Sequence, residues 1–278
     1  MATDPRSLIL SLLLGAERSG DPTLAVPELL AAAALFGLPE NAVRVALTRA
    51  AAAGLLLSPA RGRYALGPAA RPLADAVLAW KRLPERLVHW RGDWLAVHVG
   101  AAGRSDRPAL RARERAFGLL GLAEFERGLH LRPDNLAGGV EALRERLAAL
   151  LPDGAAAGTV FVLGGLSGAD SARACSLWDT GALDAGYRDG TALLAAWLDA
   201  APGLPPEQAA RESFELGGEA IRRLVFDPLL PAPLVDAEAR ARYVRTVERF
   251  DAAGQAVWQG FLARARAARA TEPEEIRR

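Results

Sequence analysis

The amino-acid sequence predicts an α+β protein, and three observations carry that expectation. Residues 26–66 read as helix, tight turn, helix and short basic hairpin. Residues 94–163 set strand-prone and helix-prone runs in the order β-α-β-β-α-β. From residue 171 onward the chain is mostly helix-prone. The first pattern is a winged helix-turn-helix, the second the split βαβ or ferredoxin-like unit, and the third a helical domain. The division expected along the chain is 1–88 (winged helix-turn-helix with a linker helix), 89–168 (ferredoxin-like) and 169–278 (helical).

Asp4 and Pro5 introduce a short apolar helix over 7–14, as N-cap and first-turn residue. A second apolar helix spans 26–36, with Pro27 in its first turn, where a missing N–H costs nothing. Gly37-Leu38-Pro39 breaks it, and Pro39 opens a third helix to about Ala53, with Gly54 as its stop. On that helix Val43, Ala46, Leu47 and Ala50 share one face. Asn41, Arg44, Val45, Thr48, Arg49 and Ala52 face away. The outward face is short, polar and cationic, a shape that fits the major groove of DNA. Leu55-Leu56-Leu57 and Tyr64-Ala65-Leu66 pair as strands around a tip that offers Arg61 and Arg63 to phosphates or a minor groove. Between Pro39 and Tyr64 the basic residues Arg44, Arg49, Arg61 and Arg63 meet a single acid, Glu40. Phosphate neutralisation requires such a local excess of cations. The same stretch also fits a helical hairpin capped by a ribbon whose charges are merely solvated.

Further along, the pattern predicts a connecting helix over 71–86, a strand over 94–99 and an arginine-rich helix over 107–117. Short strands follow over 118–124 and 128–131, the second ended by Arg132-Pro133-Asp134. An amphipathic helix covers 136–150, with Leu136, Val140, Leu143, Leu147 and Leu150 on one face. Thr159 to Leu163 is a strongly β-prone run. Helices are expected over 193–200 and 207–224, then a rigid proline-rich connector over 227–233 and a long helix, or two, over 236–269.

A chain of 278 residues is long enough for two or three domains. Its net charge of +1 confines any nucleic-acid footprint to a local patch. No apolar run reaches membrane-spanning length, the N-terminus lacks the basic region of a signal peptide, and Cys175 stands alone. A cytoplasmic protein without membrane, metal or cofactor is expected. Gly165-Leu166-Ser167-Gly168-Ala169 resembles a nucleophile elbow, but such hydrolases place their histidine after the serine. His89, His98 and His130 all precede Ser167, so the segment reads as a strand-to-loop turn.

RSLILSLLLG, LFGLPENAVRVALTRAAAAGLL and RGRYAL resemble the N-terminus of the PaaX family of transcriptional repressors. WRGDWLAVHV, followed by RPALRARERAFGLLGLAEFERGLHLRPDNL, looks like that family's central region, and RRLVFDPLLPAPLV like its C-terminal signature. The resemblance implies a regulator of a phenylacetate-type catabolic operon. Such a protein binds palindrome-like operator DNA and releases it when an aryl-CoA thioester, typically phenylacetyl-CoA, is bound. A palindromic operator demands two-fold symmetry, so a homodimer joined through the C-terminal helices is expected. The DNA contacts are assigned to Asn41, Arg44, Thr48, Arg49, Arg61, Arg63 and Tyr64. For the effector, Arg104, Arg107 and Arg111 are candidate phosphate partners and Trp94 a candidate pocket residue. A solvated face paired with Glu114, Glu124 and Glu126 is the commoner role for such an arginine run, and core packing the commoner role for tryptophan. Two departures from the family stand out: Ala50-Ala51-Ala52-Ala53 where bulkier residues are usual, and Val235-Asp236-Ala237 near a usual tryptophan. Two other classes compete with this one. A nucleic-acid-processing enzyme needs clustered carboxylates, and the middle strands offer isolated ones such as Asp93 and Glu124. An interaction scaffold without DNA binding leaves the local arginine excess unexplained.

Overall fold

The computed structural model describes residues 4–100, 107–152 and 158–270. These fall into two compact units, each with its own core. The first gathers the described residues of 1–79, 194–219 and 247–278; the second, those of 80–193 and 220–246. The three stretches expected from sequence follow chain order. The units do not, because the long helices of the C-terminal third are shared between them.

The first unit opens with α1 (Pro5–Arg18). Asp4 caps it as expected, its Oδ2 accepting from the Ser7 N–H at 3.0 Å. Next come β1 (Leu24–Ala25), α2 (Val26–Ala34), α3 (Glu40–Ala52), β2 (Leu56–Ala60) and β3 (Arg63–Leu66). The strands form an antiparallel sheet in the order β1-β3-β2. β1 escaped the sequence reading because two residues are too short to show a period. α3 stops where anticipated: Leu55 N–H donates to Ala50 O at 2.9 Å and Gly54 N–H to Ala51 O at 3.0 Å, the paired bonds of a Schellman end. The core joins Leu8, Ile9, Leu12 and Leu13 of α1 to Leu29, Ala32 and Ala33 of α2, Val43, Leu47 and Ala50 of α3, and Leu56 and Leu66 of the hairpin. Burying one leucine contributes about 2 kcal/mol. Ala210, Phe261 and Leu262 complete the cluster from the C-terminal third.

The expected linker helix is interrupted. α4 (Arg71–Leu78) gives way to a 3₁₀ turn over Ala79–Arg82 and then to α5 (Leu83–Arg86). Pro84 sits in the first turn of α5 and has no N–H to continue the α-helical ladder.

The second unit holds β4 (Trp94–His98), α6 (Arg107–Leu119), β5 (Ala123–Glu126), β6 (Leu129–Pro133), α7 (Gly139–Leu150) and β7 (Thr159–Leu163). Its sheet runs β5-β6-β4-β7, every neighbouring pair antiparallel. Alternation along each strand separates two faces. Leu95, Val97 and Val160 pack with Phe117, Leu143 and Leu147 beneath α6 and α7. Trp94, Ala96 and Leu131 point the other way, toward Ala174 of α8 (Gly168–Cys175). Residues 118–124 are not one strand. The helix runs on to Leu119, and Gly121 bends the chain with φ +68; a Cβ there would lie 2.8 Å from Pro228 Cα. α7 also begins later than its apolar period suggested, so Leu136 is buried ahead of the helix while Leu150 is exposed.

Among the described residues the last three α-helices are α9 (Thr180–Ala200), α10 (Pro206–Val225) and α11 (Ala237–Ala270). α9 starts thirteen residues before the expected 193. Its glycines lower helix propensity, but Gly190 serves packing, since a Cβ there would meet the Tyr243 ring at 2.6 Å. The connector before α11 is pinned inside the second unit. Asp227 accepts from Tyr187 Oη and from Leu229 N–H, both at 2.8 Å. Asn135 Nδ2 donates to Leu229 O at 2.7 Å, and Arg240 Nη1 to Leu230 O at 2.5 Å. Burial pushes the Asp227 carboxyl above its ordinary range and, together with Asp227, drives the Tyr187 hydroxyl upward as well. Among the described residues no helix is long and apolar enough to cross a membrane.

Candidate nucleic-acid interface

The face of α3 is divided as its period requires. Val43, Leu47 and Ala50 are buried, while Asn41, Arg44, Val45, Thr48, Arg49 and Ala52 are all exposed. A five-residue turn, 35–39, joins α2 to α3, longer by two residues than expected because α2 ends at Ala34. Four of the predicted contact residues therefore share one solvent-facing surface. Arg44 approaches Glu40 one turn back at 3.6 Å, with the side chains 58% and 72% exposed. A pair that open to water holds Arg44 by well under ~1 kcal/mol and yields readily to a phosphate or a base edge. Thr48 Oγ1 donates to Arg44 O at 3.1 Å, which leaves its oxygen facing out. The side chains of Asn41 and Arg49 make no hydrogen bond or ion pair among the described residues, and both lie open.

The hairpin treats its two arginines differently. Arg61 is exposed at the tip. Arg63 is drawn back: its Nε donates to Thr23 Oγ1 at 2.9 Å, and its Nη2 reaches Thr23 O at 3.2 Å and Asp21 Oδ2 at 3.3 Å. Those bonds tie β3 to the chain before β1. Arg63 is thus a strut of the hairpin, and a free phosphate contact at the tip falls to Arg61. Tyr64 is half-buried, paired across the sheet with Leu24 and packed on the core. Its ring is structural, with at most an edge outward.

The sequence reading did not find what stiffens this surface. Asp21 carries Arg63 on one side and Arg266 of α11 at 3.7 Å on another. Burial, which opposes ionisation, is outweighed at Asp21 by the Thr23 hydrogen bonds and by Arg63 and Arg266, so the carboxyl sits below its ordinary value. Glu28, 3% exposed, accepts from Ala25 N–H at 2.6 Å and from Arg266 Nε, closing the first turn of α2. Arg18 of α1 meets Asp251 of α11 through two bonds of 3.0 and 2.5 Å. Only the Glu28 signal was legible beforehand, as an acid three residues after the helix start.

The four candidate effector residues are not brought together. Arg104 lies outside the described residues. Arg107 and Arg111 are exposed on α6, which packs on one face of the second sheet. Trp94 is buried on the opposite face, edge-on to Trp90 at 5.2 Å and stacked on Trp178 at 6.2 Å. The strand's alternation forbids Trp94 from joining the α6 arginines in one pocket. The expected pairing of that helix also differs: Glu126 bonds Arg173, and Glu124 accepts from Gly128 N–H. Ser167 is not a mere turn residue. It caps α8, accepting from Asp170 N–H at 3.1 Å and donating to Asp170 Oδ2 at 2.9 Å.

No curated protein matches the chain. A solved structure titled uncharacterized protein Rv0674, from Mycobacterium tuberculosis, is similar over 94% of this chain and 99% of its own, with 27% identity and a TM-score of 0.63. A family model described as PaaX-like protein matches residues 4–68, the span from the cap of α1 through β3. The likeness to PaaX-like proteins is to that span alone.

Proposed function

We propose that the chain is a DNA-binding repressor of an aromatic-acid, phenylacetate-type catabolic operon, released from its operator by an aryl-CoA thioester such as phenylacetyl-CoA. The carrying observation is the outward face of α3, where Asn41, Arg44, Thr48 and Arg49 stand exposed and at most weakly paired inside the span that matches PaaX-like proteins. In this reading residues 1–88 are a winged helix-turn-helix, with α3 in the major groove and Arg61 on the backbone. Residues 89–168 are a ferredoxin-like domain, and 169–278 supply the dimer contacts that match a palindromic operator. The dimer works in the cytoplasm, where its DNA is. Arg44→Ala and Arg49→Ala each weaken specific binding by ~1–3 kcal/mol if the side chain reads a base. The test is a gel shift on the DNA upstream of the protein's own gene, with wild type and both variants, with and without phenylacetyl-CoA. A specific shift lost in the variants and reversed by the thioester is the expected result. Unchanged affinity in both variants would refute the assignment of α3.

A further inference from the structure

The outward face of α3 has an apolar centre that the fold does not require. At ~100° per residue along a helix, Val45 and Ala52 point roughly 165–175° away from the mean direction of the buried Val43, Leu47 and Ala50. Asn41 lies one turn before Val45 on the same surface, and Thr48 and Arg49 one turn after it. Arg44 and Arg49 stand on opposite flanks. Val45 is 40% exposed. It belongs neither to the core of the first unit nor to the partly buried residues packed on that core. The other apolar positions of α3 that are not fully buried hold alanine: Ala42, Ala46, Ala51 and Ala52. A β-branched residue is a poorer helix former than alanine, so Val45 costs the helix a little and brings the core nothing.

A helix lying in the major groove meets the base edges with residues of its N-terminal half, on the side turned from its own core. At that place α3 offers Val45, which is short and carries no donor or acceptor. The groove floor is a row of hydrogen-bonding groups, and its one apolar feature is the thymine 5-methyl. Against guanine, cytosine or adenine, a valine would cover donors and acceptors and satisfy none of them, which is unfavourable. Against a thymine methyl it leaves nothing unpaired and takes two small apolar surfaces out of water. The charge around Val45 points to the same partner. Arg44 and Arg49 flank it and Arg61 lies exposed at the hairpin tip, with Glu40 as the one acid between Pro39 and Tyr64. Such an excess suits a polyanion.

We propose that Val45 is a specificity-determining residue that reads thymine, its methyl groups packing on the 5-methyl of a base at the centre of the stretch α3 covers. The inference rests on the reading of α3 as the DNA-contacting helix and adds what that helix selects, a T·A pair. Arginine and asparagine contacts on either side read purines by hydrogen bonds. Val45 reads its base by shape and by the absence of an unsatisfied polar group.

The experiment measures binding of the full chain to the DNA upstream of its own gene, amplified once with thymine and once with uracil, which pairs alike but lacks the 5-methyl. Wild type, Val45→Ala and Arg61→Ala are compared by gel shift at one salt concentration. Wild type is expected to bind the uracil DNA about fourfold more weakly for each thymine contacted, the size of one buried methyl or methylene group. Val45→Ala is expected to bind thymine DNA more weakly than wild type does and to show a smaller uracil penalty, the signature of two coupled groups. Arg61→Ala, which removes a backbone contact, is expected to keep the full penalty. The melting temperature of Val45→Ala is expected to match or exceed that of wild type, so its weaker binding is not unfolding. Equal binding of thymine and uracil DNA by wild type would overturn the thymine contact, and so would an equal penalty in wild type and Val45→Ala. No binding of the thymine DNA by wild type would overturn the repressor reading and this contact together.

Discussion

The outward arginines of α3 and the hairpin tip and the inward arginines of the second unit obey opposite rules. Arg44, Arg49 and Arg61 stand in water with little or nothing to hold them. Arg132 and Arg240 are buried, 3% and 5% exposed, and bonded to carbonyl oxygens of turns and connectors. An exposed guanidinium costs the fold nothing and is available to a partner. A buried one is a structural part, because every carbonyl it satisfies would otherwise be stranded in low dielectric. Residue type alone does not separate the two; position on the helix period or the strand pleat does.

The sharpest way to break this contrast is to remove one arginine of each kind. Arg132→Met strands the Leu120, Pro228 and Asn135 oxygens and is expected to cost on the order of 3 kcal/mol of stability, since each buried unsatisfied group costs ~1–3. Arg49→Met is expected to stay within about 0.5 kcal/mol of wild type. Urea midpoints at unchanged m report both. Equal losses in the two variants would erase the distinction.

Within the hairpin the same contrast runs between neighbours. Arg63→Ala removes the bonds to Thr23 and Asp21 and is expected to destabilise by ~1 kcal/mol. Arg61→Ala is expected to leave the melting temperature unchanged while reducing the salt slope of DNA binding by about 1, as loss of one phosphate contact does. If Arg63→Ala left stability intact and flattened the salt slope instead, Arg63 would be returned to the DNA surface.

Period and punctuation made the first unit legible. Val43, Leu47 and Ala50 against Arg44, Thr48 and Arg49 is a division any helix of that sequence must adopt, and Gly54 stopped it where expected. The strand Thr159–Leu163 was equally plain, being β-branched and bounded on both sides. What was hidden depended on contacts distant in sequence. Nothing near Arg63 announces Thr23 or Asp21, forty residues earlier. Arg132 read as the end of a strand, because its partners at Pro228 and Asn135 meet only after folding. The glycines of α9 disguised a helix, since the packing of Gly190 against Tyr243 is a tertiary fact. Trp94 stands apart from the arginines of α6 for a simpler reason: the pleat decides its face, and those arginines lie on the other.

The smallest effect tests an inward-facing residue on the same strand as Arg132. His130 packs edge-on to Phe117 at 4.6 Å, and its Nδ1 is buried without a partner. Burial, aided by Arg113 and opposed by Glu124, pushes its pKa below the ordinary 6.5. As pH falls past 6.5 the unfolded chain takes the proton first, so the native state loses ground from there down to the lowered folded value. Asp134 and Asp227, with raised carboxyls, act in the opposite sense at lower pH. Both remain in a His130→Phe variant, which keeps a ring against Phe117. The difference between the two proteins therefore isolates the imidazole. Wild type is expected to lose more melting temperature between pH 7.5 and 5.5 than His130→Phe does. Parallel curves would mean that His130 is as well solvated as Arg111 on the helix above it, and that this inward position carries no electrostatic cost.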